Sequence, residues 1–199
     1  MAIDRLDVTG VILAGGRATR MGGFPKGLMR RDGRTLAERA RDLLGAVTAN
    51  VLLVANEERS YAGLGIPMIR DRIADLGPIG GLEAALTHVS TPWTIVVGCD
   101  MPLLSVAVLT LVRDRDERFD AVVPRIGEHL EPLCARYSRS ILPVVRECIA
   151  RGELGMSRLL THLTVDELDE ATLREVDPAL EAIANVNTPE DADRMRVER

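Results

Sequence analysis

Aromatic side chains are scarce in this sequence, which has two Phe, two Tyr and one Trp among 199 residues. The hydrophobic residues, 46% of the total, are therefore mainly Leu, Val, Ile and Ala. Aliphatic side chains of this kind are typical of a parallel sheet that helices cover on both faces. The length allows a sizeable core, so we expect residues 1–199 to form one domain.

Cysteine and histidine are also scarce, with three residues of each. Cys99, Cys134 and Cys148 lie far apart and form no C-x-x-C pair, and the histidines show no metal-ligand spacing. This pattern argues against a disulfide framework and against a structural zinc site. We expect the cysteines to be small buried residues in a reducing compartment.

Long apolar runs are absent as well. No stretch approaches the ~18 residues that span a bilayer, and the first residues show no signal-peptide pattern. We therefore expect a cytoplasmic protein without a membrane partner. The formal net charge of −5 argues against broad binding to nucleic acid.

Strand-like and helix-like segments alternate along the first two-thirds of the chain. A repeated βα pattern with apolar strands predicts an α/β fold: a doubly wound, mostly parallel sheet in three layers. The predicted strands are Val8–Leu13, Asn50–Ala55, Ile66–Arg70, Trp93–Gly98 and Ala121–Pro124. The predicted helices are Thr35–Val47, Pro78–Val89 and Ser105–Arg115, the first with a capping box formed by Thr35 and Glu38.

The pattern is looser after about residue 124. We expect an extended segment over His129–Tyr137, a helix over Ser138–Ala150 and a last strand over Ala182–Val186. Thr188 is placed to cap a final helix. We expect residues 1–124 to be the nucleotide-binding half and residues 125–199 the acceptor-side half.

The first strand ends in a loop that carries the clearest chemical signal. Leu13 and Ala14 lead into Gly15 and Gly16, and the loop that continues to Lys26 holds four glycines and two arginines. Glycine lets backbone N–H groups approach an anion, and Arg20 and Lys26 add positive charge. The loop therefore predicts a phosphate cradle rather than a flexible surface loop.

The loop matches neither of the two common nucleotide fingerprints. A Walker A loop needs Ser or Thr after its lysine, whereas Gly27 follows Lys26. The dinucleotide pattern G-x-G-x-x-G fails because Gly15 and Gly16 are adjacent.

Polar residues follow the other predicted strands. Asp100 is expected at the tip of a buried strand, where a carboxylate is well suited to Mg²⁺; alternatively it is an ordinary turn or cap aspartate. Asn56 and Asp71 follow the second and third strands, and Gly80 lies in a glycine-rich turn that admits a flat ligand such as a base. A simple loop-to-helix turn is the alternative there. Parallel strands bring these groups to one edge of the sheet.

Several segments together resemble the molybdenum cofactor guanylyltransferases, a family of nucleotidyltransferases. The glycine loop and the C-D-M-P turn at Asp100 are shared with the wider superfamily, and the N-V-N-T-P-E segment is more specific. The matching segments are Leu13-Ala14-Gly15-Gly16, Arg20-Met21-Gly22-Gly23, Lys26-Gly27-Leu28, Gly77-Pro78-Ile79-Gly80-Gly81, Cys99-Asp100-Met101-Pro102, Glu131-Pro132-Leu133 and Asn185-Val186-Asn187-Thr188-Pro189-Glu190.

The resemblance implies a Rossmann-like nucleotidyltransferase fold and transfer of GMP from Mg-GTP to the terminal phosphate of molybdenum-molybdopterin, with release of pyrophosphate. It implies transient contacts with other cofactor-assembly proteins or recipient enzymes. The catalytic residues would be Lys26, Arg20 and Asp100, with Asp100 holding Mg²⁺, and the acceptor would meet Asn185 and Asn187. The nucleotide would contact Leu13, Ala14, Gly15, Gly16, Lys26, Asn56, Asp71, Gly80 and Asp100.

Two other functions stay open. The same cradle and Asp100 would serve a cytidylyl- or other nucleotidyltransferase that acts on molybdopterin or on a sugar phosphate. A non-catalytic nucleotide-binding module is the alternative of a different class. Because Lys26 and Asp100 are both present, the sequence favours catalysis over binding alone.

Overall fold

A computed structural model of the chain describes residues 3–14, 24–56, 58–70 and 76–199, without the side chains of residues 58 and 59. Gly15, Gly16, Arg20 and Asp71 lie outside these ranges. The strands are β1 (Val8–Leu13), β2 (Arg30–Arg31), β3 (Arg34–Thr35), β4 (Asn50–Val54), β5 (Met68–Ile69), β6 (Trp93–Gly98), β7 (Ala121–Ile126), β8 (His129–Leu130), β9 (Cys134–Ser138) and β10 (Val165–Leu168). The α-helices are α1 (Leu36–Val47), α2 (Glu58–Tyr61), α3 (Pro78–His88), α4 (Val106–Arg113), α5 (Leu142–Ala150), α6 (Met156–Leu160), α7 (Glu170–Arg174) and α8 (Pro189–Arg194).

The central sheet has the strand order β10-β7-β9-β6-β1-β4-β5, and β8 pairs with β7 outside this path. β1 lies parallel between β4 and β6, β5 is parallel to β4, and β10 is parallel to β7. β9 runs antiparallel to both β6 and β7. The predicted doubly wound, mostly parallel sheet is therefore confirmed.

Helices cover both faces of this sheet. In β1, Val8 and Ile12 pack in a core with helices α1 and α4, whereas Val11 and Leu13 pack in a second core with α3, α5 and α6. Alternate residues of a strand face opposite sides of its sheet, so β1 separates the two cores. The three-layer architecture is confirmed.

Local capping signals in the sequence fix the helix starts. Thr35 and Glu38 form the predicted capping box at the start of α1. Thr188 caps α8, and the carboxylate of Asp191 completes a second capping box there. These side chains accept hydrogen bonds from backbone N–H groups that a helix start leaves without partners.

Two predictions in the last third of the sequence need correction. The strand predicted over Ala182–Val186 is wrong, because residues 182–187 form no strand. Ala182 and Val186 are buried, but their N–H groups bond to the Asp177 carboxylate and to the Asp100 carbonyl oxygen rather than to a neighbouring strand. The extended segment predicted over His129–Tyr137 is two strands, β8 and β9, joined by a turn.

A buried arginine joins β9 to the end of α4. The guanidinium of Arg136 is fully buried and donates to the carbonyl oxygens of Arg113, Arg115 and Asp116 at 2.6–2.7 Å. It also lies 4.4 Å from the ring centre of Trp93. Burial lowers the pKa of Arg136 to about 10.

The three cysteines are buried and free, as the sequence predicts. Within the described ranges, no helix combines the length and apolar character that crossing a membrane requires.

Candidate active site

The carboxyl ends of three parallel strands meet at one edge of the sheet. Leu13, at the end of β1, pairs with Val54 of β4 and with Gly98 of β6. Its carbonyl oxygen accepts a hydrogen bond from the N–H of Cys99 at 3.3 Å. The structure therefore places Leu13, Ala14 and the turn that holds Asp100 next to one another.

Lys26 reaches this edge from a short 3-10 turn, Lys26–Leu28. A Cβ atom at Gly27 would lie 2.8 Å from the Tyr61 hydroxyl and 3.3 Å from Cβ of Cys99. Only glycine lets the turn pack this closely against the strand end, and this packing brings Lys26 beside Asp100.

Lys26 makes two polar contacts across the site. Its Nζ donates to Oδ2 of Asp100 at 2.9 Å and to Oδ1 of Asn187 at 2.8 Å. The side chains of Lys26 and Asp100 are each 20% exposed. An ammonium group and a carboxylate from distant parts of the chain thus lie side by side and remain partly exposed to solvent.

Asp100 lies over the end of β6. A Cβ atom at Gly98 would come within 2.7 Å of Oδ1 of Asp100, so the carboxylate occupies space that only glycine leaves open. The amide oxygen of Asn187 contacts the same Lys26 ammonium group that contacts the Asp100 carboxylate. Carboxylate and amide oxygens are hard donors of the kind that Mg²⁺ prefers, so these residues fit a divalent cation.

The C-terminal segment closes the site from one side. The N–H of the fully buried Val186 donates to the carbonyl oxygen of Asp100 at 2.8 Å. On either side of Val186, Asn187 contacts Lys26 and Asn185 donates from Nδ2 to Oε2 of Glu131 at 2.7 Å. The segment N-V-N therefore joins three separate parts of the site.

Glu131 lies at the site, although in the sequence it is marked only as part of the E-P-L segment and has no predicted role. It belongs to the turn before β9, which reaches the carboxyl edge of β6 because Gly98 N–H donates to the Leu133 carbonyl oxygen at 2.8 Å. Burial raises the pKa of the Glu131 carboxyl, and the negative charge of Asp100 adds to this effect. The E-P-L motif just before an apolar strand points to Glu131 in the sequence. It does not indicate the contact with Asn185, which lies 54 positions away.

Asn56 and Gly80 belong to elements other than those that hold Lys26 and Asp100. Asn56 follows β4 and is exposed, and Gly80 is buried in the first turn of α3. Neighbouring strands are about 4.8 Å apart, so Asn56 is displaced by roughly 10 Å from the end of β6.

The buried thiol beside Asp100 is not a nucleophile. Burial, reinforced by the charge of Asp100, raises the pKa of Cys99 to about 12. The thiolate is the reactive form, so this side chain stays inert near neutral pH.

Among the described residues, one group of possible metal ligands lies elsewhere. It consists of Cys148, Glu153 and His162, and Glu153 already pairs with His162 and Arg158.

Solved structures share this architecture. Molybdopterin-guanine dinucleotide biosynthesis protein A from Archaeoglobus fulgidus superposes with a TM-score of 0.81 at 27% identity, over 94% of this chain and 96% of that one. The 2-C-methyl-D-erythritol 4-phosphate cytidylyltransferase from Thermus thermophilus superposes with a TM-score of 0.67 at 16% identity, over 98% and 97%, which shows the fold alone. The fold and its sheet-edge site define a nucleotidyltransferase.

Sequence comparison gives the family. Residues 10–169 match the MobA-like NTP transferase domain. The molybdenum cofactor guanylyltransferase of Desulfosudis oleivorans is 35% identical over 188 residues, 94% of this chain and 93% of that protein. That of Vibrio cholerae is 34% identical over 187 residues, 93% and 89% of the two chains. The chain belongs to the MobA-like NTP transferase family, among its molybdenum cofactor guanylyltransferases.

Proposed function

We propose that this protein transfers GMP from Mg-GTP to the terminal phosphate of molybdenum-molybdopterin, giving the guanine dinucleotide form of the cofactor and pyrophosphate. The observation that carries the proposal is the contact of Lys26 with both Asp100 and Asn187 at the sheet edge. It joins, at one sheet edge, the lysine that we propose binds phosphate, the carboxylate that we propose holds the metal and the segment that we propose meets the acceptor. The names of the relatives and of the Archaeoglobus fulgidus structure supply the choice of guanine and molybdopterin.

The reaction exchanges one P–O bond for another. An oxygen of the acceptor phosphate bonds to the α-phosphorus of GTP, while the bond from that phosphorus to the α,β-bridging oxygen breaks. The electron pair leaves with pyrophosphate. A phosphate monoester is already largely ionised near neutral pH, so no general base is needed. The protein must mainly position the two phosphates and neutralise charge.

Lys26 is placed to supply that neutralisation. When the triphosphate binds, Nζ of Lys26 would exchange its Asp100 partner for a phosphate oxygen, while the contact with Asn187 would keep the side chain at the sheet edge. Arg20 and the N–H groups of Gly15 and Gly16 belong to the same proposed cradle. Asp100 would hold Mg²⁺, which when bound neutralises phosphate charge and polarises the α-phosphorus.

The two substrates would approach from opposite ends of this edge. Leu13 and Ala14 would contact the nucleotide, with Asn56, Asp71 and Gly80 toward its base and ribose. Asn185 and Asn187 would meet the acceptor. Residues 1–124 would then form the nucleotide-binding half, and residues 125–199 the acceptor-side half.

The proposed reaction also indicates the partners and the cellular location of the protein. GTP and molybdenum-molybdopterin would be the partners, with transient contacts to cofactor-assembly proteins or recipient enzymes and none to nucleic acid or membrane. The free thiols of Cys99, Cys134 and Cys148 support a cytoplasmic location.

The test is nucleotide transfer by the purified protein. It is incubated with molybdenum-loaded molybdopterin, Mg²⁺ and GTP, CTP, ATP or UTP in turn, and pyrophosphate release and product mass are measured. The expected result is the guanosine dinucleotide product, with GTP preferred at least tenfold in kcat/KM. A preference for CTP would replace the proposal with cytidylyl transfer, and nucleotide binding without pyrophosphate release would indicate a non-catalytic module.

A further inference from the structure

The carboxylate of Glu131 is held rigidly at the edge of the site. The backbone N–H of Glu131 donates to the Pro124 carbonyl oxygen at 2.9 Å, and the backbone carbonyl oxygen of Glu131 accepts from Cys134 N–H at 3.1 Å. Oε1 accepts from the N–H of Leu133 at 3.3 Å. Backbone and side chain are therefore both fixed, and Oε2 points to Asn185 at 2.7 Å.

The segment that carries Asn185 is anchored through its backbone and through its buried neighbours. Residues 182–187 form no strand, and Ala182, Ile183 and Val186 are buried. Val186 is anchored by burial and by its N–H bond to Asp100. That anchor sets the backbone position but leaves the torsions of the Asn185 side chain open, and the bond to Glu131 fixes them.

The chemistry of the pair also sets which end of the amide faces the ligand. A carboxylate only accepts hydrogen bonds, so the Nδ2 group of Asn185 faces Glu131 and Oδ1 faces away from it. Without Glu131 the amide could rotate by half a turn and present donor and acceptor in exchanged places. A substrate that hydrogen-bonds to the amide would lose affinity through this freedom.

We propose that Glu131 is a positioning residue that holds the amide of Asn185 in one orientation for the acceptor. This inference rests on the proposed function, because it takes Asn185 to be on the acceptor side. It gives Glu131 no contact with the reacting atoms. Loss of its carboxylate should weaken use of the acceptor and leave use of the nucleotide nearly unchanged.

The kinetic test separates the two substrates. Glu131→Met removes both carboxylate oxygens and keeps a side chain of similar length. Glu131→Gln keeps one oxygen that can accept a hydrogen bond from Asn185. We expect Glu131→Met to raise KM for molybdenum-molybdopterin by about ten- to hundredfold, the usual range for a hydrogen bond to a charged group, with KM for GTP changed less than twofold. Glu131→Gln should restore most of the loss.

A double-mutant cycle tests whether the effect passes through Asn185. Asn185→Ala alone should raise the acceptor KM, and Glu131→Met should add less than twofold in that background, since residues acting through one contact are not additive. Asp177→Asn is the matched control, because the Asp177 carboxylate accepts from Ala182 N–H at 2.8 Å and supports the same segment. It should lower Tm without altering the ratio of the two KM values.

A second measurement does not depend on turnover. In ¹⁵N-labelled protein the side-chain NH₂ signals of Asn185, identified by their loss in Asn185→Ala, should shift in Glu131→Met and stay near their original position in Glu131→Gln. Unshifted signals in Glu131→Met, equal rises in both KM values, or full additivity in the cycle would overturn the inference. If the wild type makes no product from GTP and molybdenum-molybdopterin, the proposed function fails, and the NMR result alone decides whether Glu131 orients Asn185.

Discussion

Lys26 Nζ lies 2.9 Å from Oδ2 of Asp100, although the two residues are 74 positions apart in the sequence. One comes from a short turn after the glycine loop, and the other from the tip of β6. Binding of a metal at the carboxylate and a phosphate at the ammonium group would separate the pair and give each member a new partner. The contact therefore holds together the two groups to which we assign phosphate and metal binding.

Removal of the ammonium group should slow turnover strongly while the fold survives. We expect Lys26→Met to lower kcat by about 10²–10³, the usual cost of losing one group that stabilises charge in the transition state. Stability should change by no more than about 1 kcal/mol, because the ion pair is partly exposed to water. Pyrophosphate release and urea unfolding measure the two effects.

The complementary variant Asp100→Asn tests the metal role. It keeps the size of the side chain and an oxygen that can accept from Lys26, but it removes the charge that attracts a cation. Turnover should fall by at least 10², and the Mg²⁺ concentration for half-maximal rate should rise. An unchanged Mg²⁺ dependence would assign the metal to other residues.

Gly98→Ala should disturb Asp100 more than it disturbs the fold. The new Cβ would lie 2.7 Å from Oδ1 of Asp100 but 3.6 Å from Cβ of Leu133, which is an ordinary contact. The carboxylate would have to rotate, so we expect activity to fall at least tenfold and the Mg²⁺ requirement to rise.

The matched control is Gly45→Ala in helix α1, where nothing lies within 4 Å of the added Cβ. Alanine is the better helix residue, so this variant should gain about 0.5–1 kcal/mol in unfolding free energy and keep wild-type activity. Equal kinetic losses in both variants would show that the Gly98 effect is not specific to Asp100.

The sequence predicts most of the first half of the fold because the signals there are local. The strands over Val8–Leu13 and Trp93–Gly98 have the predicted bounds, and the helix capped by Thr35 begins where its capping box indicates. An apolar run between turn residues, or a Thr followed three positions later by Glu, is readable within a few residues.

The acceptor side could not be predicted in the same way because its contacts are long-range. Ala182, Ala184 and Val186 have the alternating apolar spacing of a strand. The contacts at the site end of this segment are instead one backbone bond to Asp100 and side-chain bonds of its asparagines. The partners Lys26 and Glu131 lie 161 and 54 positions away from them. No local pattern encodes such pairings.

Arg136 should be essential for stability and irrelevant to catalysis. Arg136→Met removes three hydrogen bonds to carbonyl oxygens at and just after the end of α4 and leaves these part-buried oxygens without that donor. We expect a loss of about 2–4 kcal/mol in unfolding free energy, with kcat and both KM values of the remaining folded protein unchanged.

The matched control is Arg118, which also lies over an aromatic ring, that of Phe119, but whose side chain is 73% exposed. Arg118→Met should therefore change stability by less than about 0.5 kcal/mol, and an equal loss in both variants would contradict the role given to burial.

Buried thiols should make the protein less stable at alkaline pH. Burial raises the pKa of Cys134 far above its ordinary value of 9.0 and that of Cys99 to about 12. In the unfolded chain these thiols release protons above about pH 9, whereas in the folded protein they keep them. The unfolded state is then favoured, so the stabilisation is complete below pH 9 and is lost as pH rises toward the folded pKa.

Each such thiol should contribute a slope that approaches about 1.4 kcal/mol of unfolding free energy per pH unit. Urea unfolding at pH 7.5, 8.5, 9.5 and 10 measures the slope for the wild type and for Cys134→Ala. The variant should be less stable at pH 7.5 because it leaves a small cavity, but its stability should fall less steeply above pH 9. Parallel curves for the two proteins would show that Cys134 ionises equally in both states, and would contradict its burial as the cause.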